Sequence, residues 1–186
     1  MPHVAHMAVR NRGTFGGSIA LADPAAEMPA CLLALGGELV LEGPTGRRAV
    51  AADDFFHGLY ETARAPDEIL VEARLPAAGP GEVFAFQEFS RRHGDFAQAG
   101  VACRARLVDG AIRDLRLVAF AAEDRPRLIE TAGAAAEGRS PAEAAAGVAD
   151  AVGEALDPMD SPLASAVYKR HLSRVLAARA VAGLAP

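Results

Sequence analysis

The stretch VRNRGTFGGSIALADPAAEMPA, Val9 to Ala30, holds the residues best suited to chemistry. Gly16 and Gly17 lack side chains, and Thr14 and Ser18 on either side of them carry hydroxyls. Consecutive backbone N–H groups in such a loop form a concavity that accepts an anion. With glycine at the closest point, a phosphate or a flat ring can touch the backbone itself. The competing and commoner use of paired glycines is an ordinary tight turn. GTFGGS is not a dinucleotide fingerprint, because it does not follow a strand and open a helix within a βαβ unit, and it lacks the lysine of a P-loop. Asp23 is placed to cap a helix, Pro24 suits the first helical position, and Glu27 adds acid to the first turn.

Other chemistries find less support. His3, His6, His57, His93 and His171 have no ligand partners at metal spacing, and no Ser-His-Asp order suggests a hydrolase. Cys31 and Cys103 lie far apart, one in a helical pattern and one in a strand pattern, so they read as buried free thiols. That reading fits a cytoplasmic setting. A net charge of −5 with scattered basic residues gives no electrostatic reason to bind nucleic acid. No basic segment leads into an apolar run at the N-terminus, and no apolar run is long enough to span a membrane.

The elements that must position these residues follow from pattern. The 186 residues, 51% hydrophobic, can bury a real core. Residues 1–22 read as Gly-rich and irregular. AAEMPACLLALGG reads as a short buried helix stopped at Gly36-Gly37. ELVLEGPTGRRAVAA is a hairpin turning at Gly43–Gly46, DDFFHGLYETA a helical turn and loop, and DEILVEARLP a strand ended by Pro76. The Pro/Gly cluster Pro76–Gly81 marks a boundary. VFAFQEFSRR is a strand, and AGVACRARLVDGAIRDLRLVAFA is two strands joined at Asp109-Gly110. The remainder is helical, with a capping box at Ser140–Glu143 and a last helix opened by Ser161-Pro162, whose Leu163, Val167, Leu172 and Leu176 keep helical spacing. Strands followed by helices, without βαβ alternation, define an α+β fold.

At this point the motifs carry a resemblance. VRNRGTFGGSIALADPAAEMPA resembles the second half of the FAD-binding domain in the medium, flavin-carrying subunit of molybdenum hydroxylases, the family of carbon monoxide dehydrogenase and xanthine dehydrogenase. ADDFFHGLYETARAPDEILVEARLP is similar to the closing strand region of that domain. FAFQEFSRRHGDFAQAGVACRARL resembles the start of the family's C-terminal domain, and SAVYKRHLSRVLAARAV its last helix. The resemblance implies a second FAD-binding subdomain over residues 1–80 and a C-terminal domain of small antiparallel sheet and helices over 82–186. It also implies that Thr14, Phe15, Gly16, Gly17 and Ser18 lie against the FAD pyrophosphate and flavin, and that Glu27 contacts the cofactor. Asp23 is either a contact or a helix cap. Leu70 matches an apolar position against the isoalloxazine, and Phe86 and Gln87 match positions beside the flavin. Gln87 stands where relatives often carry lysine. Arg91, Arg92 and Asp95 resemble a segment near the solvent face of the flavin, and a solvated charged hairpin end is the alternative.

The function implied is electron transfer, from iron–sulfur clusters through FAD to an acceptor, with no catalytic acid or base supplied by this chain. The implied partners are an iron–sulfur subunit and a molybdopterin subunit. Relatives carry an earlier Gly-Gly loop that has no counterpart here, since the chain starts at Met1 just ahead of the second. Either the chain is a truncated or split gene product, or a separate N-terminal FAD lobe completes the cradle, or the chain is a non-catalytic assembly module that docks to partners and binds FAD weakly or not at all.

Overall fold

A computed structural model describes residues 3–185; Met1, Pro2 and Pro186 lie outside that range. Two short helices come first, α1 (Met7–Arg10) and α2 (Phe15–Leu21), followed by α3 (Glu27–Leu35). The Gly-rich start is therefore helical where the pattern suggested irregular chain. Thr14 accounts for this locally: its backbone is extended and its side chain accepts from Gly17 N, so it caps α2 despite the two glycines that follow. Asp23 and Pro24 do not begin α3. Asp23 Oδ1 accepts from Ala25 N at 2.8 Å, a local turn that satisfies the carboxylate before the helix starts at Glu27. Pro29 falls in the first turn of α3, where its missing N–H costs no helical bond. At the other end Gly36 takes a left-handed φ of +68° and stops the helix.

β1 (Glu38–Gly43), β2 (Gly46–Ala51) and β5 (Ile69–Arg74) form a three-stranded antiparallel sheet in the order β2-β1-β5. Leu39 and Leu41 are fully buried on one face of β1. Between β2 and β5 the chain makes a 3-10 turn, Ala52–Asp54, and then pairs two short strands, β3 (Phe56–Gly58) and β4 (Glu61–Thr62), where a plain loop was expected. Phe55, fully buried, anchors that excursion.

The second sheet is a meander of β6 (Glu82–Phe89), β7 (Ala99–Val108), β8 (Ala111–Phe120) and β9 (Arg127–Leu128), antiparallel throughout. β7 and β8 turn at Asp109-Gly110, where both residues have positive φ, 51° and 78°. That is the geometry a two-residue hairpin prefers. α4 (Glu130–Ala136), α5 (Pro141–Ala155) and α6 (Ala166–Ala182) follow. The capping box of α5 is present, with Ser140 N and Oγ both donating to Glu143 Oε2. The last helix starts later than its sequence suggests. Ser165, not Ser161, caps it by accepting from Tyr168 N, and Ser161 instead bridges to Ala164. Leu163 and Val167 consequently leave the core, 60% and 80% exposed, while Leu172 and Leu176 stay inside.

Strand alternation gives this sheet two buried faces. Val83, Val101, Cys103 and Ala105 with Leu115, Leu117 and Ala119 pack under α4, α5 and α6. The opposite face, Ala102, Val118 and Phe120 with Phe86, joins Ile19, Leu32, Leu39, Leu41 and Phe55 from the first half in a second core. α3 lies against β7 and β8 on that side. Arginines fasten it there: Arg104 Nη1 donates to Leu35 O at 3.1 Å and Arg116 Nη2 to Leu33 O at 2.9 Å. Cations at a helix C-terminus meet both the unpaired carbonyls and the negative end of the dipole.

Candidate cofactor site

Thr14 sets the geometry of the Gly-Gly segment. Its Oγ1 accepts from Gly17 N at 2.9 Å, and a Cβ on Gly17 would sit 2.8 Å from that same oxygen. Gly17 is thus required by the cap. Gly16 is different, since a Cβ built there meets nothing within 4 Å. Its backbone faces open space, and a ligand can approach it to contact distance. The expected concavity is in fact the first turn of a helix, with Phe15 exposed beside it and Ser18 half-buried behind.

From α2 the chain runs to Asp23, whose second oxygen accepts from Tyr60 OH at 3.2 Å. Asp23 is therefore committed to two protein groups. α2 packs against α3 and β5, which brings the Gly-Gly turn and half-buried Leu70 to the same core. Glu27, at the start of α3, is only 9% exposed, and a carboxylate so placed favours the helix dipole.

Phe86 lies on the β6 face that looks toward α3. Its ring sits 5.6 Å from Phe120 on one side and 5.3 Å from the His3 imidazole on the other, tilted 44° to the latter. Gln87 is exposed, and alternation along β6 turns it to the opposite side of the sheet from Phe86. Leu70 and Phe86 pack against one core, which α2 joins through Ile19, while Thr14, Phe15 and Gly17 stay exposed at the start of α2 and Gln87 points to the other side of the sheet. Arg91, Arg92, His93 and Asp95 are exposed in the turn after β6, with Asp95 N donating to Arg92 O.

One polar residue of this region was missed in the sequence. Glu88, two positions after Phe86 and so on its face, has a side chain only 5% exposed, and its Oε2 is buried without a hydrogen-bond partner among the described residues. Burial, reinforced by the carboxylate of Glu27, pushes the Glu88 carboxyl up to about 7. Period-two spacing from Phe86 was the signal that could have found it. The thiols, Cys31 half-buried on α3 and Cys103 buried on β7, are free, and burial raises them to about 11 and about 12. Both line an apolar pocket of about 360 Å³ between α3 and β6, with Phe84 and Phe86 on its other wall. Among the described residues no group of three His, Cys, Asp or Glu is arranged to hold a metal ion, and no helix is long and apolar enough to cross a membrane.

A capped Gly-Gly turn with open backbone, a buried acid and an aromatic ring on an α+β frame are parts that a nucleotide-cofactor-binding class of protein uses. Comparison with known families makes the class specific. Residues 1–78 match the FAD binding domain in molybdopterin dehydrogenase, and residues 84–184 match the CO dehydrogenase flavoprotein C-terminal domain. The chain belongs to this flavoprotein family, and the cofactor of its first domain is FAD. The nicotine 6-hydroxylase medium subunit of Paenarthrobacter nicotinovorans is 44% identical over 115 residues, 62% of this chain and 40% of that one. The carbon monoxide dehydrogenase medium chain of Afipia carboxidovorans is 32% identical over 179 residues, 96% of this chain and 62% of that one. Among solved structures, carbon monoxide dehydrogenase from Hydrogenophaga pseudoflava superposes with a TM-score of 0.93 at 37% identity, covering 96% of this chain and 63% of the other. The chain thus spans between 40% and 63% of the length of these relatives.

Proposed function

We propose that this chain is the FAD-carrying, electron-transferring part of a molybdenum hydroxylase, with residues 1–80 contributing the second FAD-binding subdomain and 82–186 the C-terminal domain. The residues present fit FAD. Gly16 offers open backbone, Phe86 offers a ring face, and a buried unpartnered carboxylate oxygen at Glu88 waits beside Glu27. Thr14, Phe15, Gly16, Gly17 and Ser18 would meet the cofactor's phosphates, Leu70 and Phe86 its flat ring, and Glu27 a hydroxyl or N–H. Asp23 acts mainly through the turn it holds, and Gln87 stands apart. When bound, the flavin accepts electrons from a reduced partner and passes them to an acceptor. The protein's part is to hold the ring and exclude water. No side chain here is required as an acid or base. By analogy with relatives named as medium subunits, the partners are an iron–sulfur and a molybdopterin subunit.

The open backbone at Gly16, one residue from a side-chain cap, carries this reading. Titrating the purified chain with FAD, followed by quenching of flavin fluorescence, tests it. Saturable binding that is lost in Gly17→Val supports the proposal. No binding up to millimolar FAD, even with an N-terminal FAD lobe supplied in trans, removes it and leaves the docking module, a reading favoured by the exposed apolar side chains Phe96, Leu163 and Val167 of the second half.

A further inference from the structure

The contact between His3 and the β6 face shows what that face is built to receive. The His3 imidazole sits over Phe86 with ring centroids 5.3 Å apart, and its Nδ1 lies 3.3 Å from Glu88 Oε1. A flat nitrogen heterocycle thus rests on an aromatic ring while offering a nitrogen to a buried carboxyl. Only Oε1 is engaged in this way. Oε2, also buried, has no hydrogen-bond partner among the described residues, which is costly for a carboxyl oxygen and rare in folded proteins.

Glu88 is surrounded for this role. Gly100 is its register partner on β7, and the Phe120 ring from β8 lies over that glycine. α3 supplies Glu27 and Cys31, both within electrostatic reach, and the N-terminal segment supplies His3. Nothing in this set is a Lys or Arg. Phe86 also lines an apolar pocket with Phe84 and Cys31, outside whose walls Glu88 lies. A buried carboxyl next to the Phe86 ring suits a flat ring that donates N–H.

We propose that Phe86 and Glu88 form a subsite for a planar, N–H-bearing heterocycle of the cofactor, Phe86 taking the ring face and Glu88 accepting its N–H, with the His3 imidazole held in that subsite in the cofactor's absence. The inference rests on the FAD reading above and adds a residue that neither the motifs nor the comparisons assign. FAD carries two such rings, the isoalloxazine and the adenine, and the same chemistry fits either.

The test compares wild type with Glu88→Gln and Glu88→Leu by FAD titration, with FMN and ADP titrated in parallel. Leucine keeps volume but cannot accept a hydrogen bond, so FAD should bind about tenfold more weakly to Glu88→Leu. Glutamine keeps an accepting oxygen and should stay within about threefold of wild type. The loss should appear with FMN if Glu88 holds the isoalloxazine, and with ADP if it holds the adenine. Unchanged affinity in a folded Glu88→Leu overturns the proposal, as does an equal loss in Glu88→Gln. Wild type that binds no FAD even with an N-terminal FAD lobe supplied in trans overturns the parent reading instead, an outcome visible before any variant is measured.

Discussion

Arg116 on β8 reaches under the end of α3 and donates to the Leu33 carbonyl at 2.9 Å, while the same nitrogen meets Asp53 Oδ1 at 2.5 Å. Its Nε is buried without a partner, beneath Gly36. One guanidinium therefore serves a helix terminus and a carboxylate in the first half of the chain from a strand in the second. Arg116→Ala should cost about 1–3 kcal/mol, because it leaves a carbonyl and a carboxylate without their donor. Thermal unfolding should fall by several degrees, given about 2–4 °C per kcal/mol at this chain length. Arg116→Lys should recover only part of this, since the shorter side chain must bring its ammonium to the place where Nη2 now meets both acceptors. An unchanged midpoint in the alanine variant would contradict the role.

The same face predicts how the second half behaves alone. Ala102, Val118 and Phe120 are buried only because α3 and the first sheet cover them. A fragment of residues 82–186 should keep the helix-side core yet expose this apolar face. It should bind a hydrophobic dye strongly and self-associate, whereas the whole chain should not. A monomeric, dye-silent fragment would show that the face is closed by other means.

Gly100 predicts a local clash. It lies opposite Phe120 in the β7–β8 register, and an added Cβ would stand 2.2 Å from the Phe120 ring. Gly100→Ala should destabilise by about 1–3 kcal/mol through overpacking. Adding Phe120→Leu should recover part of that loss, because the two sites share one space. Denaturant midpoints of the single and double variants measure the coupling, and strict additivity would rule the clash out.

Much of this architecture is legible in the sequence because local signals agree with tertiary demands. Asp109-Gly110 turns where its preference for positive φ says it should, and Gly36 ends α3. The failures come from competition between nearby caps. Thr14 can cap a helix only if two glycines accept helical backbone, and intrinsic propensity argues against that. Ser161 and Ser165 are both possible starts for α6, and only the bridge from Ser161 to Ala164 decides between them. Of the candidate site, Thr14, Glu27 and Phe86 were readable by motif. Glu88 was not, because a glutamate in a strand reads as solvent-facing until His3 is placed against it. Gln87, a motif position next to Phe86, has the opposite strand parity and is exposed.

Glu88 also predicts a pH dependence of stability. Its carboxyl is raised from 4.5 to about 7, chiefly by burial and next by Glu27. The folded state thus holds the proton more tightly than the unfolded chain. The stabilisation is fully present below pH 4.5 and is lost as the pH rises through 7. The change should be on the order of 1–3 kcal/mol, with partial screening at the N-terminal side. Glu88→Gln cannot ionise, so the difference in unfolding free energy between the two proteins should grow in favour of the variant from pH 4.5 to 7 and then level. A constant difference across that window would show that Glu88 titrates normally.

The two glycines of the capped turn should separate folding from cofactor binding. At Gly16 an added methyl meets nothing in the protein, and alanine is the better helix residue by about 0.5–1 kcal/mol. Gly16→Ala should therefore leave stability unchanged or slightly raised. If the FAD approaches this backbone, the same methyl occupies the cofactor's space, and affinity should fall by at least tenfold. At Gly17 the added Cβ lies 2.8 Å from Thr14 Oγ1, so Gly17→Val disturbs the cap as well. Loss of a Thr cap costs about 1 kcal/mol, well within what a domain of this size tolerates. Gly17→Val should thus remain folded by circular dichroism, melt a few degrees lower, and retain no measurable FAD. Thr14→Ala isolates the cap, since it removes the hydroxyl without adding bulk, and it should share the lower melting point while keeping part of the FAD affinity. If Gly16→Ala and Gly17→Val both bind FAD as wild type does, the turn is only a helix start and the cofactor lies elsewhere.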